Sequence, residues 1–217
     1  MRITLPSGTS AELAHPDGAP SRGLVIAPDI MGLRPLFDDH VARLAAEHGW
    51  AVCAPEPVPG REDLPIDDRL AAVRDLDDTR VLGDLAAAAD ATGCEQVGVL
   101  GFCLGGMYAL KAASTGRFDR AVSCYGMIRL PEGWRGPGQA EPLDLLAAEH
   151  APVLALVGTA DPYTPPDALD DLEATGATVV RYEGAEHGFI HDPSRPAHRP
   201  DDADDAWARA HAFLTGT

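Results

Sequence analysis

The stretch Val97-Gly98-Val99-Leu100-Gly101-Phe102-Cys103-Leu104-Gly105-Gly106 reads as a buried strand, a tight turn and the start of a helix. Its first half carries no polar side chain, as a strand covered on both faces requires. Gly-x-Cys-x-Gly then matches the nucleophile elbow between a strand and a helix, with cysteine where serine is usual. Such a turn is strained and brings helix and strand close together, so the residues two before and two after must be small. The helix that follows places free N–H groups and a positive dipole end beside the sulfur, which favours a thiolate. Taken alone, a glycine-flanked cysteine is equally a packed core thiol. The strand before it and the helix after it point to a nucleophile.

Outward from this segment the chain alternates short apolar runs with longer helical patterns. The runs are 23–27, 51–54, 96–100, 120–124, 153–157 and 177–182. The helical patterns are 37–48, 67–92, 104–114, 166–174 and a closing segment that opens on Asp201-Asp202, acids suited to a helix N-terminus. In that closing segment Trp207, Ala210, Phe213 and Leu214 recur at helical spacing. Residues 2–5 and 10–15 read as a hairpin around Pro6-Ser7-Gly8. Alternation of this kind predicts an α/β domain with a mostly parallel twisted sheet flanked by helices and edged by the hairpin. The Pro/Gly-rich stretches 55–65 and 131–142 are too short for a cap, so a single domain over residues 1–217 is expected.

Thirty-four acidic against 17 basic residues give a net charge of −17. A protein that neutralises phosphates needs the opposite surplus, so neither nucleic acid nor an anionic membrane surface is an expected partner. The charge does not forbid a small anionic substrate, because a local group of arginines can reverse the field. No run approaches the length of a membrane span, and residues 1–10 lack the basic and apolar regions of a secretory signal. Cys53, Cys94, Cys103 and Cys124 fit neither a zinc pattern nor a disulfide framework. A cytoplasmic protein without metal or cofactor, monomeric or a small homo-oligomer, is the expectation.

A cysteine nucleophile needs a base, and the base needs an acid to orient it. Asp161 follows the run 153–157 in the turn Gly158-Thr159-Ala160-Asp161-Pro162, and His187 follows 177–182 between Gly184 and Gly188. Both fall at carboxyl ends of expected strands, where open α/β sheets place their sites. Asp161 alone would be a turn opener, and His187 is one of eight histidines, with His191 and His198 its nearest rivals. The order nucleophile, acid, base, with spacings of 58 and 26 residues, is what joins them.

Gly101-Phe102-Cys103-Leu104-Gly105-Gly106, Asp161 and Glu186-His187-Gly188-Phe189 together resemble the dienelactone hydrolase family, α/β-hydrolase-fold enzymes without a large lid. Arg120-Ala121-Val122-Ser123-Cys124-Tyr125-Gly126 and Val81-Leu82-Gly83-Asp84-Leu85 look like further family segments, and the likeness runs from near Leu24 to the last helix. The resemblance implies that the N–H groups of Ile30 and Leu104 form an oxyanion hole. It also implies that Asp29 stands where a glutamate holds the resting thiol protonated and takes its proton when substrate binds. Aspartate has one methylene fewer than that glutamate. Family members that act on dienelactone clasp the substrate carboxylate with arginines, one of them four residues after the catalytic histidine. Here that position is His191, and Arg69 lies near the other. A neutral imidazole does not reproduce an arginine clamp, so with the acidic net charge the departure counts against dienelactone itself. Tyr125, His191 and Arg69 are the expected substrate contacts, and Tyr125, Trp134, Tyr163 and Phe189 the bulky candidates for the pocket rim.

The chemistry implied is hydrolysis of an ester or lactone through a thioester on Cys103. An activated lactone suits it better than an ordinary alkyl ester, because turnover needs help from His187 or from the released enolate. Two other readings use the same residues: a scaffold kept for binding without catalysis, and a redox-sensing thiol with Cys124 as the nearest possible partner.

Overall fold

The computed structural model describes residues 1–217. β1 (Arg2–Thr4) and β2 (Ser10–Ala14) form the N-terminal hairpin. Six further strands follow: β3 (Gly23–Ala27), β4 (Ala51–Pro55), β5 (Val97–Phe102), β6 (Arg120–Cys124), β7 (Val153–Gly158) and β8 (Thr178–Tyr182). They make one eight-stranded sheet in the order β1-β2-β4-β3-β5-β6-β7-β8. β2 is antiparallel to β1 and to β4, and every pairing from β4 to β8 is parallel. From β3 the chain first winds one way, to β4, and then the other way, through β5 to β8. The carboxyl ends of β3 and β5 therefore flank a crevice at the switch point, where a loop on each side can reach a common ligand.

Both faces of the central strands are covered, which explains their unbroken apolar runs. α1 (Pro35–His48) and α7 (Pro200–Thr215) cover one face, where Phe37, Val41, Leu44, Ala210 and Leu214 pack on Leu24, Leu100 and Val122. On the other face lie α3 (Asp78–Ala91), α4 (Leu104–Ala113) and α6 (Pro166–Ala174), whose Val81, Leu85, Met107, Leu110 and Leu172 pack with Val25, Val99 and Ala121. The neighbours Leu24 and Val25, or Val99 and Leu100, thus serve opposite cores, as strand alternation dictates. No helix is long and apolar enough to cross a membrane.

The expected single helix over 67–92 is two. α2 (Ile66–Ala72) runs into a short 3-10 turn, and the chain is extended at Leu76 and Asp77 before α3 begins. Asp77 caps α3 by accepting from the Thr79 N–H at 2.8 Å, a role aspartate fills better outside a helix than within one. The 131–142 stretch docks on the break: Asp78 N–H donates to the Gly138 carbonyl, and the Ala140 N–H to the Asp78 carboxylate. That stretch also holds a 3-10 turn at Glu132–Trp134 and leads into the short α5 (Pro142–Leu146).

Candidate active site

Cys103 caps α4 with φ 55° and ψ −116°, a conformation that costs a non-glycine residue about 1–3 kcal/mol. The glycines around it are required by space. A Cβ on Gly101 would stand 2.0 Å from the Gly105 carbonyl oxygen, and one on Gly105 would stand 1.9 Å from that of Ala27. Without them α4 could not seat against β3 and β5, and the sulfur would not be lifted to the sheet's rim. Cys103 is half-buried, whereas Leu104 behind it has no exposure. The Leu104 N–H, first in its helix, has no acceptor within the helix. Neither it nor the Ile30 N–H donates to any carbonyl or side chain of the protein.

Asp161 and His187 come from the loops after β7 and β8, which are stitched together by the Ala160 N–H donating to the Ala185 carbonyl at 3.0 Å. His187 Nδ1 lies 2.8 Å from Asp161 Oδ2, and the other carboxylate oxygen accepts from the Tyr163 N–H at 2.9 Å. A buried, doubly held carboxylate fixes both the orientation and the tautomer of the ring. Burial disfavours the charged imidazole, but the hydrogen bond with Asp161 and the nearby Cys103 sulfur outweigh it and lift the His187 pKa to about 9. The structure thus brings Cys103, His187, Asp161, Ile30 and Leu104 to one place, the crevice at the switch point.

Asp29 does not turn to Cys103. Its Oδ1 accepts from the Met31 N–H at 3.0 Å and from Arg34 at 2.7 Å. Oδ2 accepts from Arg34 at 2.9 Å and from His191 Nε2 at 2.8 Å. Burial opposes its charge, yet His191 and Arg34 prevail and hold the carboxyl well below the usual carboxylate range. One methylene shorter than glutamate, this side chain is used up at the base of its own turn. The expected substrate contacts are likewise spent inside the protein. His191 is buried, and Tyr125, at φ 41°, is buried with its hydroxyl on His191 Nδ1. Arg69 is buried in an ion pair with Glu56 and donates to the Glu62 carbonyl. None of the three lines the cleft above Cys103. Phe189, an expected rim residue, is core, while Trp134 and Tyr163 do line the rim.

That cleft encloses about 220 Å³, with Cys103 and His187 in its floor beside Asp29 and Ile30. Its walls are apolar: Met31, Ile66, Leu70, Met127, Trp134 and Tyr163. A larger cavity of about 350 Å³ between α1 and α7 shares none of these residues and contains neither the thiol nor the triad histidine, so chemistry and not size identifies the site. The cleft holds one further polar group, Arg195, which the sequence did not single out. Its guanidinium packs over Gly188, where a Cβ would come within 2.7 Å of Nη1. No carboxylate pairs with it and no side-chain hydrogen bond holds it. A basic residue eight positions after His187 gives no signal of its own, because only the fold of the intervening loop turns it back over the glycine.

The sequence model of the dienelactone hydrolase family matches residues 9–217. A carboxymethylenebutenolidase of Rhodococcus opacus is 32% identical over 203 residues, covering 88% of this chain and 79% of the relative. A Bradyrhizobium protein assigned as a 2-oxo-3-(5-oxofuran-2-ylidene)propanoate lactonase is 31% identical over 205 residues, covering 88% and 82%. The solved structure of a Klebsiella pneumoniae protein assigned to the dienelactone hydrolases superposes with a TM-score of 0.87 at 27% identity, covering 100% of this chain and 98% of that one. With the sheet order, the cysteine elbow and the family match in agreement, the chain belongs to the dienelactone hydrolase family, a hydrolase of the α/β-hydrolase fold.

Proposed function

We propose that the protein hydrolyses a lactone or activated ester that carries a carboxylate, through a thioester on Cys103. The observation that carries this reading is the meeting of Cys103 and His187 in one cleft, the imidazole held from behind by buried Asp161, beside two uncommitted N–H groups. The Cys103 thiol gives its proton to His187 and its sulfur attacks the carbonyl carbon, while the carbonyl oxygen gains charge against the Ile30 and Leu104 N–H groups. The bond to the ring or ester oxygen then breaks, and that oxygen leaves with a proton from the His187 imidazolium. Water next attacks the thioester carbon, gives its proton to His187, and expels the Cys103 thiolate.

A thiolate leaves more readily than an alkoxide, so the first adduct collapses forward only when the departing oxygen is itself stabilised. An enol lactone or an aryl ester meets that condition. Its released oxygen in a lactone also remains tethered to the acyl group. Arg195 supports a carboxylate on the substrate: it is a cation without a protein partner in a cleft with apolar walls, in a chain whose net charge would repel an anion. The names of the relatives, a carboxymethylenebutenolidase and a propanoate lactonase, each denote a substrate with that group.

The test is turnover of p-nitrophenyl acetate and of an enol lactone bearing a carboxylate. Cys103→Ala is expected to abolish both activities, and His187→Ala to lower kcat by about 10²–10⁴-fold, the range for a positioned acid–base group. Undiminished turnover by Cys103→Ala would refute the reading.

A further inference from the structure

His187 and Ile30 stand on segments far apart in the chain, the loop after β8 and the turn after β3. A single run of buried polar groups joins them. His191 lies on the His187 loop, four residues on, and stacks on Phe102 with ring centroids 4.7 Å apart. Its carbonyl accepts from His40 Nε2 at 2.9 Å, which anchors the loop to α1. Its ring bridges Tyr125 and Asp29. Tyr125 in turn sets its ring edge-on against His187, with centroids 5.1 Å apart. Asp29 closes the other end: its carboxylate accepts from the Met31 N–H and its carbonyl from the Gly32 N–H, the two bonds that shape the turn around Ile30.

The direction of the hydrogen bonds follows from the end groups. An ionised Asp29 only accepts, so His191 Nε2 carries the hydrogen. The neutral ring then has a bare Nδ1, which accepts from the Tyr125 hydroxyl. Every donor points toward Asp29, whose two oxygens are filled by Arg34, Met31 and His191. No atom of this run faces the cleft except at Asp29, so a substrate contact does not explain it.

We propose that His191 and Tyr125 are positioning residues that fasten the loop of the catalytic base to the oxyanion turn, so that His187 and the Ile30 N–H are held at a fixed separation. This rests on the reading of Cys103, His187 and Ile30 given above. An oxyanion donor acts only when it is already in place as charge develops, and a donor left free to drift loses part of its effect.

The experiment compares wild type with His191→Phe, which keeps the stacked ring without its polar atoms, with His191→Gln, which can still donate to Asp29, and with Tyr125→Phe. In p-nitrophenyl acetate hydrolysis, His191→Phe is expected to lower kcat by about 10- to 100-fold, short of losing an oxyanion donor outright. KM should stay within about threefold, because the interaction matters in the transition state. Alkylation of Cys103 by iodoacetamide, which needs no oxyanion hole, should fall less than kcat. Tyr125→Phe, which removes one oxygen and serves if the first variant does not fold, is expected to show the same split at smaller size, and His191→Gln to recover most of kcat. Hydrogen exchange should quicken together in residues 29–32 and 184–191 of His191→Phe while β5 stays protected. A folded His191→Phe with wild-type kcat, or exchange that quickens in one segment only, overturns the proposal. So does a fall in kcat matched by an equal fall in alkylation. Wild-type turnover by Cys103→Ala would instead overturn the catalytic reading beneath it, whatever the exchange shows.

Discussion

Two non-glycine residues hold a left-handed backbone, Cys103 and Tyr125, and both border the same histidine. Strain of this kind persists where surrounding structure over-determines it. The first lifts a sulfur above a helix N-terminus, and the second turns a ring beneath His187. On the proposed reading, removal of Arg195 is what would separate binding from chemistry. Arg195→Met is expected to raise KM for a carboxylate-bearing lactone by about 10- to 100-fold, the loss of one hydrogen-bonded charge contact, and to leave neutral p-nitrophenyl acetate unaffected. Steady-state kinetics on the two substrates checks it, and an equal effect on both would show that Arg195 shapes the cleft without reading the carboxylate. Cys103, Asp161 and His187 could be picked out as candidates in the sequence because each follows a strand-like run and sits in its own glycine- or proline-marked turn. Arg195 could not, since its position depends on how residues 188–195 fold back. Tyr125, His191 and Arg69 misled for the opposite reason. Polar residues near a site look like ligand contacts until their partners within the protein are seen.

Among the elements, α4 does two jobs. Its N-terminus faces the cleft, and its last turn carries Lys111, fully buried and paired with Asp78 of α3 at 2.8 and 3.0 Å. The pair clamps the two helices on one face of the sheet, and the Lys111 amine also lies 4.9 Å over the Tyr108 ring. Removing one partner of such a pair leaves a charge without compensation. Asp78→Ala is expected to cost about 3–5 kcal/mol of unfolding free energy in urea, and Asp78→Asn less, because the amide oxygen can still accept. A loss under about 1 kcal/mol for the alanine variant would mean that water reaches Lys111 once the carboxylate is gone. The strands were readable to within a residue or two at either end, the central ones because burial on both faces writes itself as an unbroken apolar run. The break between α2 and α3 was not. It depends on Asp77 as a cap and on the docking of residues 136–140, and the second of these is a tertiary contact that helical periodicity does not record.

The molecule as a whole carries buried titrating groups of opposite sense. Burial holds His40 neutral and lowers its pKa to about 4, and His191 is lowered by the same cause. Between pH 6.5 and 4 the unfolded chain binds protons that the folded His40 refuses, so stability falls as the pH drops through that window. The loss reaches up to about 3 kcal/mol for His40. Asp29, held below the usual carboxylate range, adds stability that is present above about pH 4 and lost below it. His187 acts at the other end: its raised pKa contributes stability below its unfolded value that fades as the pH rises through about 9. Urea midpoints should therefore decline from pH 7 to pH 4, and His40→Gln should flatten that decline. An unchanged slope in the variant would place the acid sensitivity elsewhere.

The proposed mechanism turns on acylation of one sulfur. Wild-type protein mixed with p-nitrophenyl acetate, quenched in acid within the first turnover and weighed intact, should gain the mass of one acetyl group. Peptide mapping should place that group on Cys103, in a bond that hydroxylamine cleaves. His187→Ala should gain it more slowly, and Cys103→Ala not at all. An acetyl group found elsewhere, or turnover with no acylated protein and no thiol dependence, would contradict a thioester mechanism at this elbow.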